Sequence, residues 1–271
     1  MKAVVLARGR GMRMRRTDTA ADLTDAQRRY AESGIKAMVP LLDRPFLDFV
    51  LSALADASIT EVCLVIGPEH DLMRDYYART APPRRLRLSF ATQWEPLGTA
   101  DAVLAARDFA GEDPFLVLNG DNYYALDVLR ALVALDGPGL PAYSREALLR
   151  ESNFDPERVQ SFALLRIARN GDLEDVIEKP DDETYRRLAV EADAPISMNI
   201  WRFGPSIFTA CRSITPSGRG ELELPEAVRY AVQTMRERFR TVRVESGVLD
   251  LSRQGDVREV ERRLRGVDVR T

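Results

Sequence analysis

Residues 3 to 13 read AVVLARGRGMR, a short apolar run followed by a loop that holds two glycines and three arginines. The run Ala3–Ala7 has the length and composition of a buried β-strand. Gly9 and Gly11 allow backbone N–H groups to approach phosphate oxygens closely, and the arginines can neutralise the negative charge. A loop that follows a strand is also where open α/β sheets bind nucleotides. Taken alone, this loop fits a tight arginine-rich turn equally well, because it lacks the third glycine of a dinucleotide motif and the GKS or GKT ending of a P-loop.

The rest of the chain alternates short apolar runs with amphipathic stretches. We predict strands for the runs rich in Val, Leu, Ile and Phe, namely Ala3–Ala7, Glu61–Ile66, Leu86–Ala91, Phe115–Leu118, Phe162–Ile167, Ile196–Phe203 and Thr241–Val244. Apolar residues at helical spacing follow Pro45 and Thr99, which we interpret as helix starts, and recur from Leu126 to Val133. Strands and helices in turn predict an α/β fold with a doubly wound, mainly parallel sheet flanked by helices.

Loop signals fall at residues 82–83, 137–141 and 216–220, and none is long enough for a domain linker. The sequence therefore predicts one domain over residues 1–271. Residues 17–34 interrupt the regular pattern with a polar, helix-prone stretch in which Asp18 and Thr24 are candidate caps. A short connection is expected at this point. We interpret the stretch as a helical insertion, either a surface helix or a lid over bound ligand.

The composition excludes several classes of protein. With 42 acidic and 39 basic side chains the net charge is -3, which gives no overall basic field for nucleic acid. No apolar run reaches the roughly 18 residues of a membrane span. Cys63 and Cys211 show neither a disulfide framework nor metal-ligand spacing, and a single histidine, His70, excludes a multi-histidine metal site. We expect a cytoplasmic protein without nucleic-acid or membrane partners, and a homo-oligomer stays open.

Arginine outnumbers lysine by 36 to three, so each lysine stands out. The three are Lys2, Lys36 and Lys179. A guanidinium cannot replace an ammonium where a compact point charge is needed. The bias alone says nothing about function, but it makes the position of each lysine worth examining.

Six short motifs follow one another along the chain. They are LARGRGMRMR at 6–15, IKAMVPLLDRPFLDFVLSAL at 35–54, QWEPLGTADAVLAA at 93–106, LNGD at 118–121, EKP at 178–180 and VLDLSRQGDVREV at 248–260. In this order the sequence resembles the sugar-1-phosphate nucleotidylyltransferases, which include glucose-1-phosphate thymidylyltransferase and N-acetylglucosamine-1-phosphate uridylyltransferase. The resemblance spans residue 1 to about 264. It implies a Rossmann-like, mixed sheet of the nucleotide-diphospho-sugar transferase type, and a reaction in which an NTP and a sugar 1-phosphate give an NDP-sugar and pyrophosphate.

The resemblance also implies a role for each motif residue. It places Leu6, Ala7, Gly9, Gly11, Gln93, Gly98 and Thr99 around the nucleotide, Glu178, Lys179 and Asn199 around the sugar phosphate, and Arg13, Lys36 and Asp121 at the reacting centre. Arg13 would stabilise the departing pyrophosphate. Asp121 and Asp250 would hold Mg²⁺, a hard cation that prefers oxygen ligands. The Gln93 amide has a donor edge and an acceptor edge, which suits uracil or thymine, so UTP or dTTP is favoured and GTP stays open.

Three departures from the family pattern concern the substrate more than the chemistry. Met12 stands where threonine is usual, Arg8 replaces a small alanine, and Asn199 replaces a glycine found in many relatives. Two metal-site assignments also have alternatives. Asp121 could cap a helix over Tyr123–Leu135, and Asp250 lies in DLSRQGD where the family usually has DIGTPED.

Two further side chains receive structural interpretations. Trp94 is interpreted as a core residue in preference to a sugar platform. No general base is required, since a sugar phosphate is already ionised at neutral pH, so His70 is interpreted as a surface or structural residue.

Two other functions compete with the enzyme. The first is a regulatory subunit of the same fold that binds a nucleotide sugar without turnover, although a sensor has no need of a metal pair. The second is a dinucleotide-dependent oxidoreductase, which is disfavoured because the third glycine and the downstream ribose-binding acidic residue are missing.

Overall fold

The computed structural model describes residues 1–9, 11–191 and 193–271; Arg10 of the predicted phosphate loop lies outside the described residues. The strands are β1 (Lys2–Leu6), β2 (Pro40–Leu41), β3 (Arg44–Pro45), β4 (Glu61–Ile66), β5 (Arg87–Thr92), β6 (Phe115–Asn119), β7 (Asn122–Tyr124), β8 (Gly139–Tyr143), β9 (Leu164–Ile167), β10 (Leu173–Ile177), β11 (Ile200–Phe203), β12 (Arg240–Val244) and β13 (Val248–Asp250).

The helices are α1 (Asp25–Ser33), α2 (Phe46–Asp56), α3 (Asp71–Asp75), α4 (Thr99–Ala105), α5 (Arg107–Ala110), α6 (Leu126–Ala134), α7 (Arg145–Glu151), α8 (Pro156–Gln160), α9 (Asp182–Tyr185), α10 (Ile207–Ser213), α11 (Leu224–Gln233) and α12 (Asp256–Leu264). A 3₁₀ turn covers Lys36–Met38, and wider π-helical turns extend α3 over Tyr76–Thr80 and α9 over Arg186–Glu191. Within the part of the chain that the structure describes, no helix combines the length and apolar character needed to cross a membrane.

Seven strands of the described residues form the central sheet, in the order β12-β8-β11-β6-β1-β4-β5. Strands β5, β4, β1 and β6 are parallel neighbours, β8 and β12 pair in parallel, and β11 runs antiparallel between β6 and β8. The predicted α/β fold with a mainly parallel, mixed sheet is confirmed. From β1 the chain moves outward to β4 and β5, then returns to place β6 on the other side of β1. This reversal leaves a cleft at the carboxyl ends of β1 and β6, where open α/β sheets bind ligands.

Both faces of the sheet are covered, which explains why inner strands such as β1 and β4 are mainly apolar. Within β1, Ala3 and Val5 face a core that contains Phe46 and Phe49 of α2, whereas Val4 faces a second core with Val103 of α4. All six side chains are essentially inaccessible to solvent. Burial on both faces removes the polar alternation of a half-exposed strand.

Two predicted elements differ from the structure. The glycines and prolines at 137–141 predict a loop, but strand β8 (Gly139–Tyr143) lies inside the sheet beside β12. Pro141 has no N–H, and the β8–β11 pairing is sparse around it: Gly139 pairs with Arg202, and the next bridge joins Tyr143 to Ile196. Residues 162–167 were expected in the parallel sheet. Instead β9 forms an antiparallel ribbon with β10, a strand that the sequence analysis missed.

Candidate active site

The carboxyl ends of β1 and β6 form the floor of a cavity of about 470 Å³. Leu6 and Ala7 line it from β1, and Asn119, Gly120 and Asp121 line it from β6. The Gly120 backbone N–H donates to the Leu6 carbonyl at 2.9 Å, which ties the two strand ends together. Asp121 lines the cavity and does not precede a helix, since α6 begins only at Leu126. The alternative interpretation of Asp121 as a helix cap is therefore wrong.

The arginine-glycine loop forms one wall of this cavity. Gly9, Gly11, Met12 and Arg13 all line it, and Arg13 is exposed. Gly11 has a φ of 60°, and a Cβ there would lie 2.4 Å from the Gly34 carbonyl oxygen. Only glycine fits this close approach to the left-handed residue that ends α1. The loop is thus packed against the end of the helical insertion.

Lys36 lines the same cavity and forms an ion pair with Asp121, with 2.8 Å between Nζ and Oδ2. The 3₁₀ turn Lys36–Met38 carries the lysine into the cavity wall. Burial alone would lower the pKa of Lys36, but attraction to Asp121 and Asp250 outweighs it and raises the pKa. The ammonium is therefore charged at neutral pH.

Asp250 reaches the same centre from the other end of the chain. Strand β13 pairs with β7, which places Asp250 opposite Asn122, and the Leu251 N–H donates to the Asp121 carbonyl at 2.9 Å. The Asn122 amide donates to Asp250 Oδ2 at 3.0 Å, and Arg158 donates to Oδ1. Burial, followed by repulsion from Asp121, raises the pKa of the Asp250 carboxyl.

The carboxylate oxygens of Asp121 and Asp250 are ligands that suit a hard cation. Among the described residues, no cluster of three or more His, Cys, Asp or Glu side chains is arranged to hold a metal ion. Mg²⁺ often keeps several waters and binds through one or two carboxylates together with substrate phosphates, so the two aspartates fit it. Each carboxylate oxygen can accept more than one contact, so the bonds to Lys36, Asn122 and Arg158 leave acceptor capacity.

Gln93, Pro96, Gly98 and Thr99 also line this cavity. Gly98 has a φ of 125°, and a Cβ on it would lie 2.4 Å from the Leu222 carbonyl oxygen, so this turn also requires glycine. The Thr99 hydroxyl accepts a bond from the Leu224 N–H at 2.8 Å. The QWEPLGTA segment is therefore joined to residues 222–224 by close packing.

A second cavity of about 170 Å³ adjoins the first and shares Leu6, Thr99, Asn119 and Glu221 with it. Glu178 and Asn199 line it, as the sequence analysis predicts for sugar contacts. Asn199 has a φ of 54° at the point where the predicted strand 196–203 is interrupted before β11. Burial and repulsion from Glu223 raise the pKa of Glu178. Lys179 is exposed, with a φ of 44°, and forms part of neither cavity wall.

The sequence analysis missed several residues of these walls. Arg219, Glu221 and Glu223 line the second cavity, and Ser252 lines the first. The sequence predicted only a loop at residues 216–220. The available signal was the group of charged side chains in this region, with Arg219 between two glycines and Glu221 and Glu223 directly after them.

Two side-chain interpretations have clear outcomes. The prediction that Trp94 is a core residue is wrong, because 75% of it is exposed. His70 is buried, and its Nδ1 accepts a bond from the Gly67 N–H at 3.2 Å. Burial lowers the pKa of His70, so the imidazole is neutral at pH 7. Of the two interpretations given for His70, the surface one is wrong, and its buried, hydrogen-bonded position agrees with the structural one.

A sequence model of the nucleotidyl transferase family matches residues 2–253, which include the residues that line the two cavities. The chain belongs to the nucleotidyl transferase family. This membership confirms the family predicted from the motifs.

Relatives of this nucleotidyl transferase include enzymes named for two bases. A glucose-1-phosphate thymidylyltransferase of Streptomyces griseus is 32% identical over 245 residues, covering 89% of this chain and 60% of the relative. The UTP–glucose-1-phosphate uridylyltransferase AglF of Haloferax volcanii is 27% identical over 264 residues, covering 97% and 96%. The chain spans 57% of a second H. volcanii relative, the low-salt glycan biosynthesis nucleotidyltransferase Agl11. It thus spans less than two thirds of the length of two of these proteins.

Solved structures of nucleotidyl transferases share the fold. A UDP-glucose pyrophosphorylase complexed with UDP-glucose superposes with a TM-score of 0.71 at 18% identity, covering 96% of this chain and 97% of the other. A UDP-glucose pyrophosphorylase from Acinetobacter baumanii gives a TM-score of 0.70 at 18% identity, covering 99% and 95%.

Proposed function

We propose that this nucleotidyl transferase joins a nucleoside monophosphate, taken from an NTP, to a sugar 1-phosphate and releases pyrophosphate. The observation that carries the proposal is the contact between two chemically different cavities. The larger has a glycine-arginine loop and Lys36, which suit a triphosphate, and the smaller has Glu178 and Asn199, which suit sugar hydroxyls. Their shared wall allows the α-phosphate and the sugar phosphate to meet.

In this reaction an oxygen of the sugar phosphate attacks the α-phosphorus of the NTP. A P–O bond forms there, and the bond from the α-phosphorus to the oxygen of the leaving pyrophosphate breaks. The attacking oxygen is already ionised at neutral pH, so no proton has to be removed. The protein contributes positioning and stabilisation of spread negative charge.

Charged groups at the junction of the cavities have complementary tasks. The backbone N–H groups near Gly9 and Gly11 hold the β- and γ-phosphates, and Arg13 neutralises charge on the pyrophosphate as it leaves. Lys36 exchanges its bond to Asp121 for an α-phosphate oxygen when nucleotide binds. Asp121 and Asp250 would hold Mg²⁺, which supplies neutralisation of the nucleotide phosphates.

The remaining residues set the substrate. Gln93, with Leu6, Ala7, Gly98 and Thr99, contacts the nucleoside, and we infer UTP or dTTP as the preferred donor. Glu178 and Asn199 bind sugar hydroxyls. Lys179 binds the sugar phosphate, for which its exposed side chain has to turn toward the smaller cavity. These substrates occur in the cytoplasm, where we propose that the protein works.

A pyrophosphate-release assay tests the proposal. The purified chain is mixed with MgCl₂, each of UTP, dTTP, GTP, CTP and ATP, and a panel of hexose and heptose 1-phosphates. We expect release that requires both an NTP and a sugar 1-phosphate, largest with UTP or dTTP. Binding of NDP-sugars without release in any combination would overturn the proposal in favour of the regulatory subunit.

A further inference from the structure

Arg8 lines the nucleotide cavity but has no role in the reaction described above. Its side chain is only 9% exposed. The guanidinium donates to the backbone carbonyl of Gln93, and it pairs with the Glu69 carboxylate through Nε–Oε1 at 3.3 Å and Nη2–Oε2 at 3.4 Å. Arg8 therefore lies beside Gln93, at the end of the cavity proposed for the base.

The orientation of the Gln93 amide is fixed by its partners. Its Nε2 donates to the Gly98 carbonyl at 2.9 Å and to Asp101 Oδ2 at 2.8 Å. A carbonyl and a carboxylate are both acceptors, so the NH₂ group has to face them, and both of its protons are used. Gln93 can then offer a base only the acceptor Oε1. It cannot supply the donor that a base carbonyl requires.

The Arg8 guanidinium has more N–H donors than its bonds to described residues use. A guanidinium carries five N–H groups, and the bonds from Arg8 to described residues use three, which leaves two. The neighbouring Glu69 carboxylate balances the charge of Arg8. This end of the cavity therefore competes only weakly with Arg13 and Lys36 for the triphosphate.

We propose that Arg8 is a base-specificity residue, whose free N–H groups donate to a base carbonyl while Gln93 Oε1 accepts from the adjacent ring N–H. The proposal rests on the proposed function, since it places the base at Gln93. Uracil and thymine present this N–H and carbonyl pair, and so does guanine. Cytosine and adenine present a ring acceptor beside an amino donor. The ring acceptor would then face the acceptor Gln93 Oε1, and the amino donor would face the donors of Arg8. A site built for such hydrogen bonds rejects the analogue that leaves its groups unpaired.

The test measures binding of UTP, GTP and CTP to the full chain by isothermal titration calorimetry, with MgCl₂ and without sugar phosphate. The variants are Arg8→Ala, Arg8→Lys and the control Arg79→Ala, which removes an exposed arginine paired with Asp75 on the surface. Each variant is first checked by thermal unfolding. For the unmodified chain and Arg79→Ala we expect binding of UTP and GTP in preference to CTP.

Arg8→Ala should raise the Kd for UTP and for GTP roughly tenfold or more, the size expected for a lost hydrogen bond from a charged donor. The Kd for CTP should stay within about twofold of its value for the unmodified chain. Arg8→Lys keeps the charge without the planar fork and should fall between. Equal weakening for all three nucleotides would show that Arg8 acts through charge alone, and unchanged or tighter UTP binding would show that no donor was lost. Either result overturns the proposal. The binding measurement does not depend on turnover. If the chain selects bases in this way but releases no pyrophosphate, the proposed function is overturned and the role of Arg8 is not.

Discussion

Asp250 has a structural role, as a partner of the buried Arg158, and a proposed chemical role, as a ligand of Mg²⁺. Arg158, whose side chain is 5% exposed, bonds to both Asp250 and Asp256, and its guanidinium lies 4.8 Å from the centre of the Phe154 ring. Removing one partner of a buried ion pair leaves the other charge uncompensated. A change at Asp250 should therefore affect folding as well as activity, whereas a change at Asp121 should affect mainly activity.

Asp121→Asn and Asp250→Asn remove charge with little change of shape. We expect turnover to fall several hundred-fold or more in both, on the order of 3–4 kcal/mol of transition-state stabilisation. Asp250→Asn should also lower the free energy of unfolding by about 1–3 kcal/mol, because Arg158 keeps only Asp256. Pyrophosphate release and chemical denaturation measure the two effects.

The control for these variants is Asp113→Asn, whose exposed carboxylate pairs with Lys2 on the surface. It should change neither quantity. Excess EDTA should abolish the activity of the unmodified chain. Full turnover in EDTA, or in either active-site variant, would contradict the metal assignment.

The lysines allow a sharper comparison, because the chain has three and only two are proposed to bind phosphate. Lys36→Arg should reduce mainly kcat, and Lys179→Arg should raise mainly the KM for the sugar phosphate, since a planar fork cannot reproduce a compact ammonium. Lys2 bonds to Asp113 and the Ala110 carbonyl, so Lys2→Arg serves as the matched control and should keep full activity. Steady-state kinetics with both substrates varied provide the measurement. If all three variants are equally active, Lys36 and Lys179 are structural.

Among the elements, helix α1 of the insertion shows how a polar stretch is held to the fold. Thr24, one of the two caps predicted from the sequence, caps its start, and the Gln27 side chain bonds back to the Thr24 backbone N–H. Leu23 and Ala31 are buried, and the Gln27 amide donates to the Pro40 carbonyl at 3.0 Å. The sequence gives little sign of the Gln27 contact, because Gln27 is polar and its partner lies outside residues 17–34.

We propose that residues 17–34 act as a lid whose movement carries the phosphate loop, since Gly34 packs on Gly11 at the cavity wall. Asp22 bonds to Arg258 of α12 at an exposed site, a contact that water can replace, whereas Leu23 and Ala31 are held by burial. Hydrogen exchange followed by mass spectrometry should slow markedly across Asp18–Ser33 when UTP and Mg²⁺ are added. Exchange in α6, away from the cavity, is the internal control and should not change. Equal hydrogen-exchange rates in Asp18–Ser33 with and without ligand would contradict the lid and leave the segment as a surface helix.

For the whole molecule, the sequence predicted the architecture because the strands of a covered sheet are apolar on both faces. Runs such as 61–66 and 115–118 contain the signal locally, and the structure has strands there. The order of the strands, by contrast, is not a local property. The β8 segment contains Gly139 and Pro141, which locally favour a loop, and only its place between β11 and β12 makes it a strand.

Site residues that belong to continuous motifs were predictable from the sequence, whereas those brought to the site by long-range packing were not. Ala7 and Asp121 were predicted through the family resemblance, because each belongs to a short motif that is continuous in the sequence, LARGRGMRMR and LNGD. Arg158 and Glu221 were missed because they meet the site only through long-range packing. Trp94 was misinterpreted because an aromatic residue beside a buried glutamine gives no sign of which side faces solvent.

The central claim is that an oxygen of the sugar phosphate attacks the α-phosphorus of the nucleotide. The most direct measurement is ³¹P NMR of the products formed from UTP and glucose 1-phosphate whose phosphate oxygens carry ¹⁸O. The account predicts an NDP-sugar with ¹⁸O in the bridge between its two phosphorus atoms, and pyrophosphate without label. An unlabelled bridge, label in the pyrophosphate, or a sugar bisphosphate in place of the NDP-sugar would contradict it.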